Sequence, residues 1–411
     1  MKRILILGAG TAGTMAANKL QKKLGDTWDI TIVDQDDVHY YQPGFLFIPF
    51  GTYEPEDVIK TKREFIPKGV SYIAGEIDKL DPAENKVMLT DGTELGYEYL
   101  IIATGTRPTP SETPGLEGPE YGRTVHDFYT FDGSVALAKA LANFDSGRLV
   151  VNLIEMPIKC PVAPLEFAFL ADSHFTEQGT RDNIEIVYVT PLDAVFTKPV
   201  AARHLGSMFE DRKIVLEPDF YLERVDAENK KLVSYDEREV EYDLLVTVPM
   251  NMGATFVHEA GLGDEMNHVK VDHHNFLSKD HDNIFAIGDA ANLPTSKAGS
   301  VAHFAIDVFI PNFLNHVRGL PMEKEFDGHS NCYIETGYNK AMLIDFNYEV
   351  QPLPGKYPLP GLGPFSLLKE TGINHRGKLM FKWMYWNMLL RGRNIPVPGH
   401  MMMAGKERSE A

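Results

Sequence analysis

The sequence has few cysteines, an excess of acidic residues and no long apolar run. Two cysteines among 411 residues cannot form a disulfide scaffold or a four-thiolate metal site, and we predict no metal site of another kind. Forty lysines and arginines against 58 aspartates and glutamates give a net charge of −18, which argues against nucleic acid as a partner. No run approaches the roughly 18 apolar residues of a transmembrane helix, so we expect a protein that is soluble or bound to a membrane surface.

The length and the first residues indicate the broad class. A chain of 411 residues with 44% hydrophobic and 24% charged residues predicts a folded protein of two or three domains. The apolar run near the N-terminus ends at Gly8, which is too short for a secretory signal peptide. We therefore expect the protein to stay in the compartment where it is made, on the cytoplasmic side of any membrane that it touches.

A glycine-rich turn follows the first predicted strand. The strand covers residues 3–7, and a predicted helix over residues 11–24 follows the turn. Gly8 permits a tight turn, Gly10 lets the backbone approach a pyrophosphate, and Gly13 lets the helix lie close to the strand. The helix N-terminus favours the charge of a phosphate. This arrangement is typical of a dinucleotide-binding βαβ unit.

An acidic residue completes this pattern. A second predicted strand over residues 30–33 ends at Asp34, 21 positions after Gly13. At this spacing a carboxylate can accept a hydrogen bond from a ribose hydroxyl. The alternative, a plain glycine turn, does not explain why strand, helix and acid occur together. The cofactor contacts predicted from this unit are Gly8, Gly10, Thr11, Ala12, Gly13 and Asp34.

Two later segments resemble accessory motifs of flavoproteins that have two dinucleotide-binding domains. They are residues 97–105 and 283–289, and each contains an apolar strand that runs into a turn. The resemblance implies that the cofactor is FAD, with Asp289 on the ribitol and the N-terminus of a helix over residues 300–316 at the flavin ring. It adds the cofactor contacts Ala103, Thr104, Gly105, Gly288 and Asp289.

A second strand–turn–helix unit lacks the glycines. Residues 148–153 predict a strand, but no glycine occurs between Gly147 and Gly179. The prolines of the following segment, residues 154–164, carry no N–H, and its side chains prevent the close approach of a pyrophosphate. We therefore expect a second Rossmann-like domain that does not bind NAD(P)H, so that electrons must enter by another route.

Cys160 stands where the second glycine turn would be. Pro161 follows it and residues 165–175 look helical, so we expect the thiol at a helix N-terminus with a lowered pKa. The alternative is a small buried apolar side chain. Cys332 lies 172 positions later, and the residues around it leave a structural role and a redox role equally open.

Several segments together resemble the sulfide:quinone oxidoreductases, and the match covers nearly the whole chain. The segments are residues 8–13, 41–44, 160–166, 288–289 and 330–333. The block that begins at Cys160 is the most specific of them. Many members of the family carry a third cysteine, and the matching region here, residues 122–128, contains none. This departure from the family pattern excludes mechanisms that need three thiols and leaves a two-cysteine mechanism open.

By this resemblance, Cys160 and Cys332 form the redox centre beside a non-covalently bound FAD. Sulfide attacks their disulfide form, or a sulfur-bridged version of it. One cysteine becomes a persulfide, and the other passes two electrons through FAD to a membrane quinone. Glu166 and His204 match positions that handle protons in the family, although an isolated histidine more often has a structural role. Gln42, in the segment 41–44, is assigned to the cofactor.

The C-terminal region differs in composition from the rest. Residues 365–411 contain eight basic and three acidic residues, two of the three tryptophans and six of the 16 methionines. Residues 378–391 predict a helix with a wide apolar face, which suits a core position or a membrane surface, and the local positive charge favours the membrane surface. By the family resemblance Lys382 lies near the quinone, with Tyr333 and Phe381 as candidate aromatic walls.

The predicted architecture is α/β, with two Rossmann-like dinucleotide-binding domains of the glutathione-reductase type and a C-terminal region that carries an amphipathic helix. We expect an FAD domain in two parts (1–115 and 261–320), a second domain (116–260) and a C-terminal region (321–411), and a homo-oligomer stays open. The rival hypotheses are a type II NADH:quinone dehydrogenase, the flavoprotein subunit of a cytochrome-linked sulfide dehydrogenase, and a non-catalytic flavin redox sensor.

Overall fold

The computed structural model describes residues 2–358, 363–395 and 397–407. Its α-helices are α1 (Thr11–Leu24), α2 (Phe131–Leu141), α3 (Ala163–Gln178), α4 (Pro199–Asp211), α5 (Thr255–Glu259), α6 (Gly299–His316) and α7 (Gly372–Met384). The ends of the predicted first and last parts, Met1 and residues 408–411, lie outside the described ranges.

A parallel five-stranded sheet forms the first Rossmann-like domain. In spatial order its strands are Ile284–Ala286, Tyr99–Ile102, Lys2–Leu7, Trp28–Asp34 and Val70–Ala74. The inner strands are apolar because both faces of the sheet are covered, and Ile6, Ile32 and Ile101 are fully buried. One of the two edge strands, Ile284–Ala286, comes from the part of the sequence after residue 261.

A second parallel sheet forms the other Rossmann-like domain. In spatial order its strands are Val125–His126, Leu244–Val248, Gly147–Leu153, Ile184–Val189 and Ile214–Glu217. Helix α3 connects the Gly147–Leu153 strand to its neighbour Ile184–Val189, which makes a βαβ crossover without a glycine turn. The predicted α/β fold with two Rossmann-like domains is therefore confirmed.

Short antiparallel strands are added to both domains. They pair as Val38–Tyr40 with Ile59–Thr61, Ile77–Asp81 with Lys86–Leu89 and then Glu94–Gly96, Arg107–Pro108 with Asn251–Met252, and Leu222–Asp226 with Lys231–Ser234 and then Glu239–Glu241. The pair formed by Arg107–Pro108 and Asn251–Met252 joins the segment that follows the Tyr99–Ile102 strand of the first domain to the second domain.

The C-terminal region contains a third sheet and α7. In spatial order the strands of this sheet are Ser330–Gly337, Lys340–Phe346, Phe365–Leu367 and Gly355–Tyr357. Helix α7 begins at Gly372 because the Thr371 hydroxyl caps its first turn, accepting the Asn374 N–H at 3.1 Å. The predicted helix over residues 378–391 therefore starts too late, and the chain after α7 continues as a π-helical turn, Tyr385–Leu389.

The two tryptophans of this segment lie on different faces. Trp386 is buried against the first domain, where its ring stacks on Phe65 with 5.4 Å between centroids. Trp383 is 60% exposed, together with Met380 and Ile373 earlier on α7. One face of α7 and the following turn thus packs on the body of the protein, and the other is open. Within the described ranges we find no helix with the length and apolar character to span a bilayer.

Candidate functional site

A cleft of about 960 Å³ is lined by all three parts of the chain, and we call it the central cleft. Its lining includes Gly8 and Asp289 from the first domain, Cys160 from the second, and Cys332 and Lys378 from the C-terminal region. The volume is typical of sites that hold small molecules and cofactors. The predicted cofactor contacts that line it are Gly8, Gly10, Thr11, Ala12, Asp34, Gln42, Ala103, Thr104, Gly105, Gly288 and Asp289.

The glycine turn has the close contacts that its role requires. Gly8 has φ +99°, and a Cβ added there would lie 2.5 Å from the Ala103 carbonyl oxygen. A Cβ on Gly13 would lie 1.9 Å from the Gly8 carbonyl oxygen, so α1 can approach the first strand only with glycine at this position. A Cβ on Gly10 would have no atom within 4 Å, because this residue faces the open cleft.

Asp34 is fixed at the carboxyl end of its strand by two donors. Its Oδ2 accepts the Ala9 N–H at 2.6 Å, and its Oδ1 accepts a hydrogen bond from Lys62 Nζ at 2.7 Å. The buried Lys62 is a residue that the sequence reasoning missed. It holds the carboxylate in place beside the glycine turn, at the edge where the nucleotide fingerprint requires an acid.

Asp289 and the N-terminus of α6 form another part of the wall. Burial raises the pKa of Asp289, although Lys297 and Lys159 act in the opposite direction. Lys297 Nζ donates to the Asp289 carbonyl at 2.8 Å and fixes the turn that carries it. Gly299 and Ser300, the first residues of α6, also line the cleft. The positive end of this helix therefore faces the cleft, as the sequence predicts.

Two hydroxyl groups in the wall are left for a ligand. Thr104 Oγ1 and Thr106 Oγ1 are buried and have no hydrogen-bond partner among the residues that the structure describes. Buried polar atoms in proteins normally have partners. Together with the glycine turn and the two aspartates, these atoms fit a bound dinucleotide.

Cys160 lies in a loop with an unusual backbone. It precedes a proline and has φ +47°, a left-handed conformation that is costly for a residue with a Cβ. The loop is held there by the Cys160 N–H, which donates to the Lys297 carbonyl at 2.6 Å, and by the Tyr129 hydroxyl, which donates to the Cys160 carbonyl at 3.2 Å. These contacts direct the second domain's loop toward the N-terminus of α6.

The predicted lowering of the Cys160 pKa is wrong. Helix α3 begins at Ala163, three residues later, so the thiol is not in the first turn of the helix. Burial raises the pKa of the Cys160 thiol and the Glu166 carboxylate raises it further, while Lys378 and the hydrogen bond from the Ala163 backbone act in the opposite direction. Desolvation disfavours the thiolate more than a nearby helix end can stabilise it.

Cys332 lines the same cleft from the Ser330–Gly337 strand. Both cysteines are free thiols. Burial and the Glu166 carboxylate raise the pKa of each thiol, and the positive charge of Lys378 lowers it. Burial raises the pKa of Cys332 to about 11, although the Ser330 hydroxyl lies 3.7 Å from its Sγ and acts in the opposite direction. The two cysteines, 172 positions apart in sequence, thus line the same cleft, and we call the part of it around them the thiol pocket.

A buried ion pair lies beside the thiols. Glu166 is fully buried in the first turn of α3, and its Oε1 pairs with Lys378 Nζ of α7. Burial raises the pKa of Glu166, while Lys378 and the Glu335 N–H act against it. Lys378 Nζ also donates to the Tyr333 carbonyl at 3.2 Å. This pair can place a negative and a positive charge next to the sulfur atoms, or change its charge by gaining or losing a proton.

Other predicted site residues divide into two groups. Tyr333 and Phe381, the candidate aromatic walls of a quinone site, line the central cleft. Lys382 does not line it: its Nζ lies 3.7 Å from an Asp57 oxygen and 3.8 Å from the centre of the Tyr53 ring. His204 is exposed on α4 and is also absent from the cleft lining. The structure thus brings neither the lysine nor the histidine to the thiols.

Tyr385 is a further residue that sequence reasoning missed. Its hydroxyl lies 2.7 Å from Thr11 Oγ1 in the glycine turn and 2.7 Å from His39 Nε2. The C-terminal segment is therefore hydrogen-bonded directly to the nucleotide-binding turn. No local signal identifies this contact, because the residues are 374 positions apart.

Comparison with known proteins agrees with this geometry. Residues 2–150 match the family described as pyridine nucleotide-disulphide oxidoreductase. The mitochondrial sulfide:quinone oxidoreductase of Dictyostelium discoideum is 27% identical over 397 residues, which cover 95% of this chain and 86% of that protein. The X-ray structure of the sulfide:quinone oxidoreductase from Aquifex aeolicus has a TM-score of 0.80 at 20% identity, covering 96% of this chain and 92% of its own.

A relative of another kind matches only in part. The type II NADH:quinone oxidoreductase of Staphylococcus haemolyticus is 35% identical, but over 119 residues that cover 28% of this chain and 29% of that protein. The matches together confirm the predicted resemblance to sulfide:quinone oxidoreductases and the prediction of FAD as the cofactor.

Proposed function

We propose that this chain, which is similar to sulfide:quinone oxidoreductases over nearly its full length, oxidises sulfide with Cys160 and Cys332 and passes the electrons through FAD to a quinone. The observation that carries the proposal is the position of the two free thiols. They come from separate parts of the chain and line the same cleft as the dinucleotide fingerprint.

The central cleft has residues for each part of FAD. The glycine turn and the N-terminus of α1 would hold the pyrophosphate, Asp34 the ribose and Asp289 the ribitol. When bound, FAD supplies two-electron chemistry: it accepts an electron pair from the thiols and returns it to a quinone. The remaining chemistry belongs to the side chains of the cleft.

The sulfur chemistry begins with the disulfide form of the cysteine pair. A hydrosulfide ion attacks one sulfur, an S–S bond to that sulfur forms, and the Cys160–Cys332 bond breaks. One cysteine is then a persulfide and the other a thiolate. A second hydrosulfide ion removes the outer sulfur as a short polysulfide anion, and the persulfide's proton stays on that cysteine as a thiol. The thiol and the thiolate then re-form the disulfide with loss of one proton and transfer of two electrons to FAD.

Glu166 and Lys378 assist these steps from beside the sulfur atoms. Burial raises the pKa of both cysteines, so the cysteine that carries a proton keeps it unless a nearby group takes it up when the disulfide re-forms. Glu166 is a carboxylate in the right place, and the positive charge of Lys378 favours the thiolate that forms in each cycle. We assign no proton step to His204, which lies outside the cleft lining.

The quinone site lies on the α7 side of the cleft. Tyr333 and Phe381 supply aromatic surface there, and Lys378 supplies a positive charge next to the same wall. A quinone ring needs flat apolar surface and a hydrogen-bond donor for its oxygen, and these three residues provide both. Lys378 takes the place that the sequence reasoning gave to Lys382.

Access for a lipid quinone is supported by the open face of α7. Ile373, Met380 and Trp383 are each more than half exposed, and Arg376 on the same helix is exposed as well. Apolar side chains with a tryptophan and basic neighbours are typical of a helix that lies on a membrane surface. The protein therefore binds the membrane peripherally through α7.

Binding to vesicles tests the membrane part of the proposal. Replacing both Met380 and Trp383 with Ser should reduce co-sedimentation with anionic phospholipid vesicles, because apolar surface that enters the bilayer is lost. Tyr221→Ser, which removes an exposed aromatic residue from the second domain, is the matched control. Equal binding of both variants would contradict an α7 contact with the membrane.

Flavin reduction tests the sulfur chemistry. Cys160→Ser and Cys332→Ser should each lose bleaching of the flavin band by sulfide, while dithionite still bleaches both variants and shows that FAD is bound. Full bleaching by sulfide in either variant would contradict the proposed redox pair.

A further inference from the structure

Hydrogen bonds lead from the buried Glu166–Lys378 pair, through the main-chain N–H of Glu335, toward the surface at α7. The Glu335 N–H donates to Glu166 Oε1 at 2.6 Å, and Glu335 is the third residue after Cys332 on one strand. Glu335 Oε2 lies 2.9 Å from His375 Nδ1. His375 and Lys378 are three positions apart on α7, so both side chains can reach this strand.

Solvent exposure increases along these residues. The Glu166 side chain has 0% exposed surface, the Glu335 side chain 1%, and the His375 side chain 15%. His375 is therefore the member that water reaches. The titratable residues Glu166, Glu335 and His375 thus extend from the thiol pocket to the protein surface.

Each of the two carboxyl groups keeps one free oxygen. Glu166 Oε2 and Glu335 Oε1 are buried and have no partner in the part of the chain that the structure describes. An unpaired buried acceptor is destabilising, and packing alone gives no reason for two of them on residues that share a hydrogen bond. An oxygen that takes up and releases a proton explains both.

Titratable groups from several elements face Glu335, and only a group that can take up a proton can belong to the path. Glu166 faces it from α3, and Tyr53 faces it from the first domain. His375 and Lys378 face it from α7. Burial raises the pKa of Tyr53 to about 12, and the two carboxylates together outweigh burial and raise the pKa of Lys378. Tyr53 and Lys378 therefore stay protonated and cannot take up a proton from the pocket.

We propose that Glu335 and His375 carry protons between the thiol pocket and solvent. The inference rests on the proposed sulfide chemistry, in which two electrons leave for FAD and one proton leaves the pocket each time a thiol and a thiolate re-form the disulfide. An S–H bond breaks as Glu166 takes the proton, which then passes to Glu335, to His375 and to water. Glu335 and His375 act through Glu166 and do not touch the sulfur atoms.

Two substitutions interrupt this path at different points. Glu335→Gln keeps the shape and the backbone hydrogen bond but cannot take up a proton, and His375→Ala removes the group at the surface. In the full-length, FAD-loaded protein, sulfide should bleach the flavin at least about tenfold more slowly in both variants. His400→Ala, at an exposed histidine outside the path, should stay within about twofold of the wild type.

Added imidazole separates proton transfer from a positioning role. It should restore most of the rate of His375→Ala, because a small base in solution can reach the exposed end of the path. It should not restore Glu335→Gln, whose block is buried. Unchanged rates in both variants, or a slow His375→Ala that imidazole does not rescue, would overturn the proposal. If His375→Ala loses FAD, His375→Gln replaces it in the same comparison, with the rate itself as the readout.

The outcome for the path can be told apart from the outcome for the proposed function. Failure of sulfide to bleach the wild-type flavin would contradict the function. The rate of flavin bleaching by dithiothreitol then tests the path. This dithiol reduces the same cysteine pair, and the thiol protons must leave the same pocket when the disulfide re-forms. The same order of rates among the variants would support the path, and equal rates would overturn it.

Discussion

The two Rossmann-like domains use the turn after their first strand in different ways. In the first domain Gly8 and Gly13 draw the strand and α1 together, and the helix end opens on the cleft. In the second domain the same place holds Cys160, and Pro164 stands in the first turn of α3. One topology thus provides an anion site in one domain and a thiol in the other.

The negative charge at the second helix comes from the chain itself. Glu166 lies in the first turn of α3, where a phosphate would lie in a nucleotide-binding domain. Its carboxylate is buried and paired with Lys378. The difference between the domains shows how a binding site for a cofactor phosphate can be converted into a charged wall for sulfur chemistry.

The largest expected effect breaks the first turn. Gly13→Val should abolish FAD binding, because its Cβ alone would meet the Gly8 carbonyl oxygen at 1.9 Å. The measurement is the flavin content of the purified protein. Gly206→Ala, in α4 of the second domain, has no atom within 4 Å of the new Cβ and is the matched control. A Gly13→Val protein with full flavin content would contradict the assignment of this turn.

The next effect concerns the ion pair between Glu166 of the second domain and Lys378 of the C-terminal region. Lys378→Met leaves the Glu166 carboxylate buried and unpaired, so the free energy of unfolding should fall by about 3 kcal/mol. Urea denaturation followed by tryptophan fluorescence measures it. Adding Glu166→Gln to Lys378→Met removes the unpaired charge and should recover much of the loss. A double variant less stable than Lys378→Met would argue against this pairing.

A pH effect is expected beside the first turn. Burial lowers the pKa of His39 from 6.5 to about 3, so the unfolded chain binds a proton there that the folded chain does not. The His39 contribution to stability is therefore full above pH 6.5 and is lost as the pH falls toward 3, by about 1.4 kcal/mol per pH unit.

The comparison of wild type with His39→Gln isolates this contribution. The variant should show a shallower loss of unfolding free energy between about pH 6 and pH 4. Its absolute stability is not the readout, since the hydrogen bond to Tyr385 changes as well. Parallel pH curves for the two proteins would mean that His39 is not held neutral in the folded state.

The smallest expected effect concerns the contact between the C-terminal segment and the first turn. Tyr385→Phe removes the hydroxyl that joins Thr11 and His39, so the dissociation constant of FAD should rise by about two- to tenfold. Fluorescence titration of the apoprotein with FAD measures it. Tyr221→Phe, at an exposed position of the second domain, should leave FAD affinity unchanged. Equal affinities in wild type and Tyr385→Phe would show that the contact does not support the turn.

The first domain was predictable because its signals are local. Strand, glycine turn, helix and acid follow one another within about 34 residues, and the predicted helix over residues 11–24 has the bounds of α1. The loss of glycines in the second domain is also a local signal, and it identified Cys160 from its neighbours alone.

The thiol pocket was less predictable because it is assembled over long distances. The Cys160 pKa depends on burial and on Lys378, which is 218 positions away in sequence. The choice between Lys378 and Lys382 differs by one turn of a helix, and only the fold shows which one faces the cleft. Trp383 and Trp386 share one apolar sequence pattern, yet only Trp386 is buried.

The most direct test of the central claim compares two electron donors. Purified protein is mixed anaerobically with sulfide or with NADH, and the flavin band is followed at about 450 nm, where protein-bound flavin absorbs. The loop around Cys160 predicts bleaching by sulfide and not by NADH, with recovery of the band after addition of a quinone analogue. Rapid bleaching by NADH, with none by sulfide, would show that the second domain kept its nucleotide site and would contradict this account.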